Sequence, residues 1–290
     1  MMKEETALAT TTTGGALAFP SDMMADMAEN AGMGTDYASA EKPMPYISVL
    51  QALSPQVQEQ DARYIDGAKP GMIYNNLSKT VVDVRVITGK PAPLGIPIVF
   101  GYRHTKMLTE WVPRDNGGGF VAHHLPNSSV IKLGRPRKDG KVGLELPNGN
   151  HLIETDYHYA MLASNPENPV RSILALSSTG LRTSRELIGF VDGYQPPQEL
   201  GLTKKPPLYS MMFTLRTAIQ TKKDKQWWGT EIHFVGLIPQ VLGENGTTLY
   251  KAAREFAVDI KEGNIRLGAP PIDEDAGKPA AGGEDEHVPF

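Results

Sequence analysis

Five cations fall within ten residues, Lys132, Arg135, Arg137, Lys138 and Lys141, with Asp139 the only acid inside the run. Lysine and arginine at this density neutralise phosphates, and a loop broken up by glycine and proline can close over a phosphate backbone. A solvated basic loop is the plainer alternative. Other cations come in small groups: Arg103 and Lys106, Arg182 and Arg185, Lys204-Lys205, and Lys222-Lys223-Lys225. Rings supply the second chemistry that a single nucleic-acid strand needs, a flat apolar surface on which bases stack. Tyr102, Trp111 and Trp227 are the candidates for that role.

Other chemistries lack their residues. The chain has no cysteine, so thiolate nucleophiles, thiolate metal sites and disulfides are excluded. No phosphate loop of the GxxxxGK[ST] type, no HExxH and no GxSxG occurs. His123-His124 and the pair His151 and His158 lack metal-ligand spacing. Two glycosylation triplets, Asn127-Ser128-Ser129 and Asn245-Gly246-Thr247, carry no weight without a secretion signal, which the first residues do not resemble. The expectation is a protein that is not an enzyme and uses no cofactor. Nor does any run of 18 apolar residues suggest a membrane span.

The elements that must position these residues are mainly strands. Ordered sequence is expected from Pro45, with a hairpin of Met72–Tyr74 and Thr80–Ile87 and a strand pair of Ile96–Arg103 and Lys106–Val112. Residues 113–150 read as one long connection, functional or disordered. Strands follow at His151–Ala163, Val170–Ser177, Leu208–Thr221 and Trp227–Ile238. Two helices interrupt them, one with Leu181, Ser184, Ile188 and Val191 on a face, the other with Leu249, Ala253, Phe256 and Ile260. Many strands and few helices argue for a mainly β fold, an antiparallel barrel or sandwich.

Strand alternation sorts the side chains. Trp228, Ile232, Phe234 and Ile238 share one face and read as core, which leaves Trp227 on the polar face. Tyr209, Met211, Phe213, Leu215 and Ile219 read as core in the preceding strand, leaving Arg216 open. Trp227 and Arg216 are therefore the expected sheet-face contacts. Tyr157 and Tyr159 share parity with Ile153 and Met161 and are expected to pack. Tyr102 and Trp111 have apolar neighbours on both faces, so their orientation stays open. Arg182 and Arg185 lie off the apolar stripe of their helix, to grip phosphate or simply to solvate it.

Net charge is −4, but it is unevenly spread. Residues 1–42 carry seven acids against Lys3 and Lys42, giving −5, and residues 268–290 carry six acids against Lys278, giving −5 again. The remaining body, residues 43–267, is left with +6. A basic body between acidic ends fits a nucleic-acid binder. Both ends lack apolar periodicity and are expected to be disordered, dividing the chain into 1–42, a domain over 43–263, and a linker with an acidic tip over 264–290.

That tip, Glu284-Asp285-Glu286-His287-Val288-Pro289-Phe290, is the most specific signal in the chain. It resembles the acidic tip of bacterial single-stranded-DNA-binding proteins, and an acidic tail ending in Phe occurs in some bacteriophage single-stranded-DNA-binding proteins; here His287 stands where another acid is usual. The stretch Pro45–Tyr74, with LQALSP and GAKPGMIYN segments, is similar to bacteriophage proteins of the replication region. The resemblance implies an OB-fold-like β-barrel that binds single-stranded DNA during phage replication and recombination, in the cytoplasm of a bacterial host. It also implies that Glu284, Asp285, Glu286, Val288, Pro289 and Phe290 recruit replication proteins such as a polymerase, helicase or primase. Homo-oligomers are possible. Two alternatives stay open, a single-strand annealing or recombination protein and a β-rich virion structural protein.

Overall fold

The computed structural model describes residues 44–268, apart from 203, 223, 224 and 266. The segment 1–42 and the tip 284–290 lie outside the described residues. Among the described residues, thirteen strands form one mixed sheet: β1 (Tyr46–Val49), β2 (Ile73–Asn75), β3 (Thr80–Val82), β4 (Arg85–Val86), β5 (Ile96–Phe100), β6 (Thr105–Val112), β7 (Gly119–His124), β8 (Arg135–Pro136), β9 (Leu144–Glu145), β10 (His151–Leu162), β11 (Val170–Ser177), β12 (Met211–Lys222) and β13 (Lys225–Leu237). The main path runs β13-β12-β5-β10-β11-β1-β2-β3. Most pairings are antiparallel, but β1–β11 and β4–β12 are parallel.

The central strands are buried on both faces. In β5, Ile98 and Phe100 enter one core with Leu174, Met211 and Phe213, while Val99 points into a second with Tyr159, Met161 and Phe256. This period-2 division explains why β5 reads as a continuous apolar run rather than an alternating one. Tyr157 and Tyr159 are buried, as their parity suggests. Each finds a hydroxyl partner, Tyr157 with Thr109 at 2.8 Å and Tyr159 accepting from Thr105 at 3.3 Å.

One expected pairing is corrected and one expected strand is divided, although its hairpin with β2 forms. β5 and β6 do not form a strand pair; both lie against β10, β6 along His151–Tyr157 and β5 along Ala160–Leu162. At twelve residues β10 is long enough to carry two strands end to end along one edge. The expected strand Thr80–Ile87 is split at Asp83, whose carboxylate takes both the backbone N–H and the guanidinium of Arg85. As a result β3 pairs with β2 while β4 pairs with β12. The two ends of the sheet come near each other here and at Gln51, whose side chain bonds the Trp228 backbone N–H and C=O. The ladder itself stays open, so the sheet is large, mixed and curled, and a closed barrel is not established.

Two long helices appear where the apolar stripes place them. Helix α1 (Gly180–Gly193) buries Leu181, Ser184 and Leu187, leaving Ile188 at the margin. After the short α2 (Ile238–Leu242), helix α3 (Thr247–Glu262) covers the second core with Leu249, Ala253 and Phe256. Phe256 seats against Gly101, where a Cβ would come within 2.6 Å of its ring. Just past Gly263, Ile265 and Leu267 pack against the body, and the Gly268 carbonyl accepts from Tyr46 Oη at 2.9 Å. Among the described residues no helix is long and apolar enough to cross a membrane.

Candidate nucleic-acid interface

Helix α1 lies against the edge strand β13, pinned where Thr183 Oγ1 donates to the Thr230 carbonyl at 3.0 Å. Between them runs a groove of about 1230 Å³. Its apolar lining includes Phe190, Ile232 and Phe234, and the Phe190 and Phe234 rings lie 4.9 Å apart. Trp227 also lines it, half-buried, with Nε1–H donating to Gln220 Oε1 at 3.1 Å. Gln220 stands opposite Trp227 in the β12–β13 register, so the two side chains share a face.

Cations border these rings. Arg182, Arg185 and Lys222 line the groove, against the acids Glu186 and Glu231. Both arginines point outward because Leu181, Ser184 and Leu187 take the inward stripe of α1. Arg182 also pairs with Glu186 one turn on, at 2.8 Å. Lys106 bonds Glu154 at 2.9 Å, and that bond raises its pKa while nearby Arg185 opposes the rise. A smaller cavity of about 360 Å³, sharing Thr183, Gln220 and Thr230 with the groove, continues it toward Trp111 and Trp228. Trp111 packs edge-on against Phe120 at 6.0 Å.

Arg135, Arg137, Lys138 and Lys141 lie on a hairpin of β8 and β9 joined through residues 137–143, while Lys132 precedes it in a short 3-10 helix, Ser129–Leu133. Arg137 is not available to phosphate. Its side chain is 8% exposed and forks onto Asp139, which with the Lys141 backbone N–H holds that carboxyl down to about 2. Lys138 lies 3.9 Å from Glu145 and Lys141 lies 3.7 Å from Asp139. Lys132 and Arg135 are exposed. Val142, on the same hairpin, lines the groove, whereas none of these cations does.

Other candidates sit elsewhere. Tyr102, Arg103 and Lys205 line a separate cavity on the far side of α1, where Leu187 is common to both spaces. Lys204 is exposed and lines none of the cavities described. Arg216 stands opposite Glu231 but folds over Gly95, with Nη2 3.4 Å from the Leu94 carbonyl, and does not reach the groove. Lys223 and the tip residues lie outside the described residues. Phe190 and Phe234 were not anticipated as groove residues, because alternation gave Phe234 to the core and Phe190 lies off the helix stripe. Among the described residues no cluster of three or more metal-ligating side chains is present.

The family described as Pam3 phage gp34-like protein matches residues 12–266. No curated protein and no solved structure matches the chain.

Proposed function

This chain belongs to the Pam3 phage gp34-like family, and we propose that it binds single-stranded DNA for the bacteriophage, without regard to base sequence. The strand would lie in the groove between α1 and the β12–β13 ribbon. One observation carries this reading: Trp227, Phe190 and Phe234 line one groove together with Arg182 and Arg185. Rings for bases beside cations for phosphates are the two parts that sequence-tolerant binding requires. The hairpin of β8 and β9, whose Val142 lines the groove, would bring further cations toward the strand, and the +6 body would supply the long-range attraction.

The wider role is protection of exposed strands during phage replication and recombination, in the host cytoplasm. Treating the curled sheet as an OB-like platform belongs to the same proposal, as does recruitment of replication proteins by residues 284–290. The role is one of binding, not catalysis. Stacking on Trp227 should quench tryptophan fluorescence when oligo(dT) is added. The expected result is saturable quenching that shrinks in Trp227→Phe. Quenching equal in the two proteins would move the strand away from this groove, and no binding at all would favour the virion structural reading.

A further inference from the structure

The cavity on the far side of α1 has a composition of its own. It measures about 590 Å³ and is walled by α1, α3 and the segment after β5. The walls are largely apolar, with Ile188, Val191 and Val258 among them. Four cations line it, Arg103, Lys205, Arg254 and Lys261, against one acid, Asp192. Lys205 already spans to Asp192, donating to its carbonyl at 2.7 Å. At the inner end His104 stacks on His158, ring centroids 5.3 Å apart. His158 is 3% exposed, and its Nε2 is 2.9 Å from Ser184 Oγ, which in turn donates to the buried Asp156 at 2.6 Å. The Ser184 proton goes to Asp156, so His158 must donate from Nε2, and this fixes its tautomer.

We propose that this cavity binds a phosphate monoester carrying an apolar or aromatic body, of nucleoside-monophosphate size. The volume falls within the range of small-molecule sites, about 300–1,000 Å³, which combine apolar walls with a few oriented polar groups. A surplus of three cations over acids matches a dianionic head better than the single charge of an internal phosphodiester. A bare phosphate would leave the apolar walls wet, and a neutral nucleoside would leave the cations without a partner. Tyr102 and Tyr209 also line the cavity and offer rings to a flat body. The monoester has two sources, a free nucleotide or the 5′-phosphorylated end of a strand. The site stands apart from the α1–β13 groove and does not depend on the reading of that groove.

The test is calorimetric titration of the full chain with dTMP, thymidine and inorganic phosphate in turn. The expected result is saturable dTMP binding, with a Kd below about 1 mM, and binding at least tenfold weaker for thymidine and for phosphate. Arg254 and Lys261 are exposed on α3, so Arg254→Ala/Lys261→Ala should fold normally and lose dTMP binding at least tenfold. Trp227→Ala should keep dTMP binding whatever it does to oligonucleotides, which separates this site from the groove. Competition with oligonucleotides assigns the source: displacement of dTMP by a 5′-phosphorylated strand, but not by its hydroxyl-ended counterpart, points to strand ends, and displacement by neither points to a free nucleotide. No saturable dTMP binding, phosphate binding as tight as dTMP, or unchanged binding in the α3 variant would overturn the proposal.

Discussion

Adjacent tryptophans on β13 face different surroundings and should respond differently to mutation. Trp227 lines the groove with its indole N–H held by Gln220, so Trp227→Ala should weaken oligonucleotide binding by about 1–3 kcal/mol with little change in unfolding midpoint. Trp228 lies over Gly71, where even a Cβ would come within 2.3 Å of its ring, and Arg85 sits 5.9 Å from the ring centroid. Because Trp228 is half-buried, Trp228→Ala should cost about 2 kcal/mol in urea unfolding, less than a fully buried ring would. Exchanged phenotypes would contradict the assignment. His158 makes a separate prediction. Burial, reinforced by His104, lowers it from 6.5 to about 3. The unfolded chain therefore takes up a proton near pH 6.5 that the folded chain refuses until about pH 3. Stability present above pH 6.5 is lost as pH falls through that window, at up to about 1.4 kcal/mol per unit. His123, also lowered mainly by burial, acts in the same direction. Urea unfolding between pH 7.5 and 5.5 should show this slope, and His158→Gln should flatten it; an identical slope in the variant would show that His158 does not carry it.

At the scale of elements, the long strands and both helices were legible because their apolar periods are long and unbroken. Alternation failed where an element leaves the core: Ile219, read as core, is 54% exposed, since the far half of the β12–β13 ribbon projects beyond the sheet. It also missed β7 to β9, because two- to six-residue strands among glycines and prolines carry too few periods to register. The split at Asp83 was hidden because a side chain closing on its own backbone leaves hydrophobicity unchanged. The hairpin of β8 and β9 shows what sequence counting cannot do. Five cations were equivalent on paper, yet Arg137 is consumed by Asp139. Replacing Lys132, Arg135, Lys138 and Lys141 with alanine should reduce the slope of log affinity against log salt by about 0.7 per lost contact on single strands. The additional Arg137→Ala change should mainly loosen the hairpin. A slope unchanged by the four substitutions would mean that the hairpin faces away from DNA.

For the whole molecule, charge distribution is the governing quantity. On the proposed reading, a +6 body should attract phosphate, and an acidic segment on the same chain should compete for it. Deleting residues 284–290 should raise single-strand affinity modestly at low salt and leave it nearly unchanged once the Debye length falls to about 8 Å. Phe290→Ala retains the acids and should leave DNA affinity alone while reducing capture of replication proteins; weaker DNA binding after the deletion would contradict the competition. The central claim is tested most directly by fluorescence anisotropy of one labelled mixed-sequence oligonucleotide, single-stranded or annealed to its complement, across a salt series. The account predicts tighter binding to the single strand at every salt concentration, an affinity that falls as salt rises, and little dependence on base composition. Equal affinity for the two forms, or no binding at low salt, would contradict it.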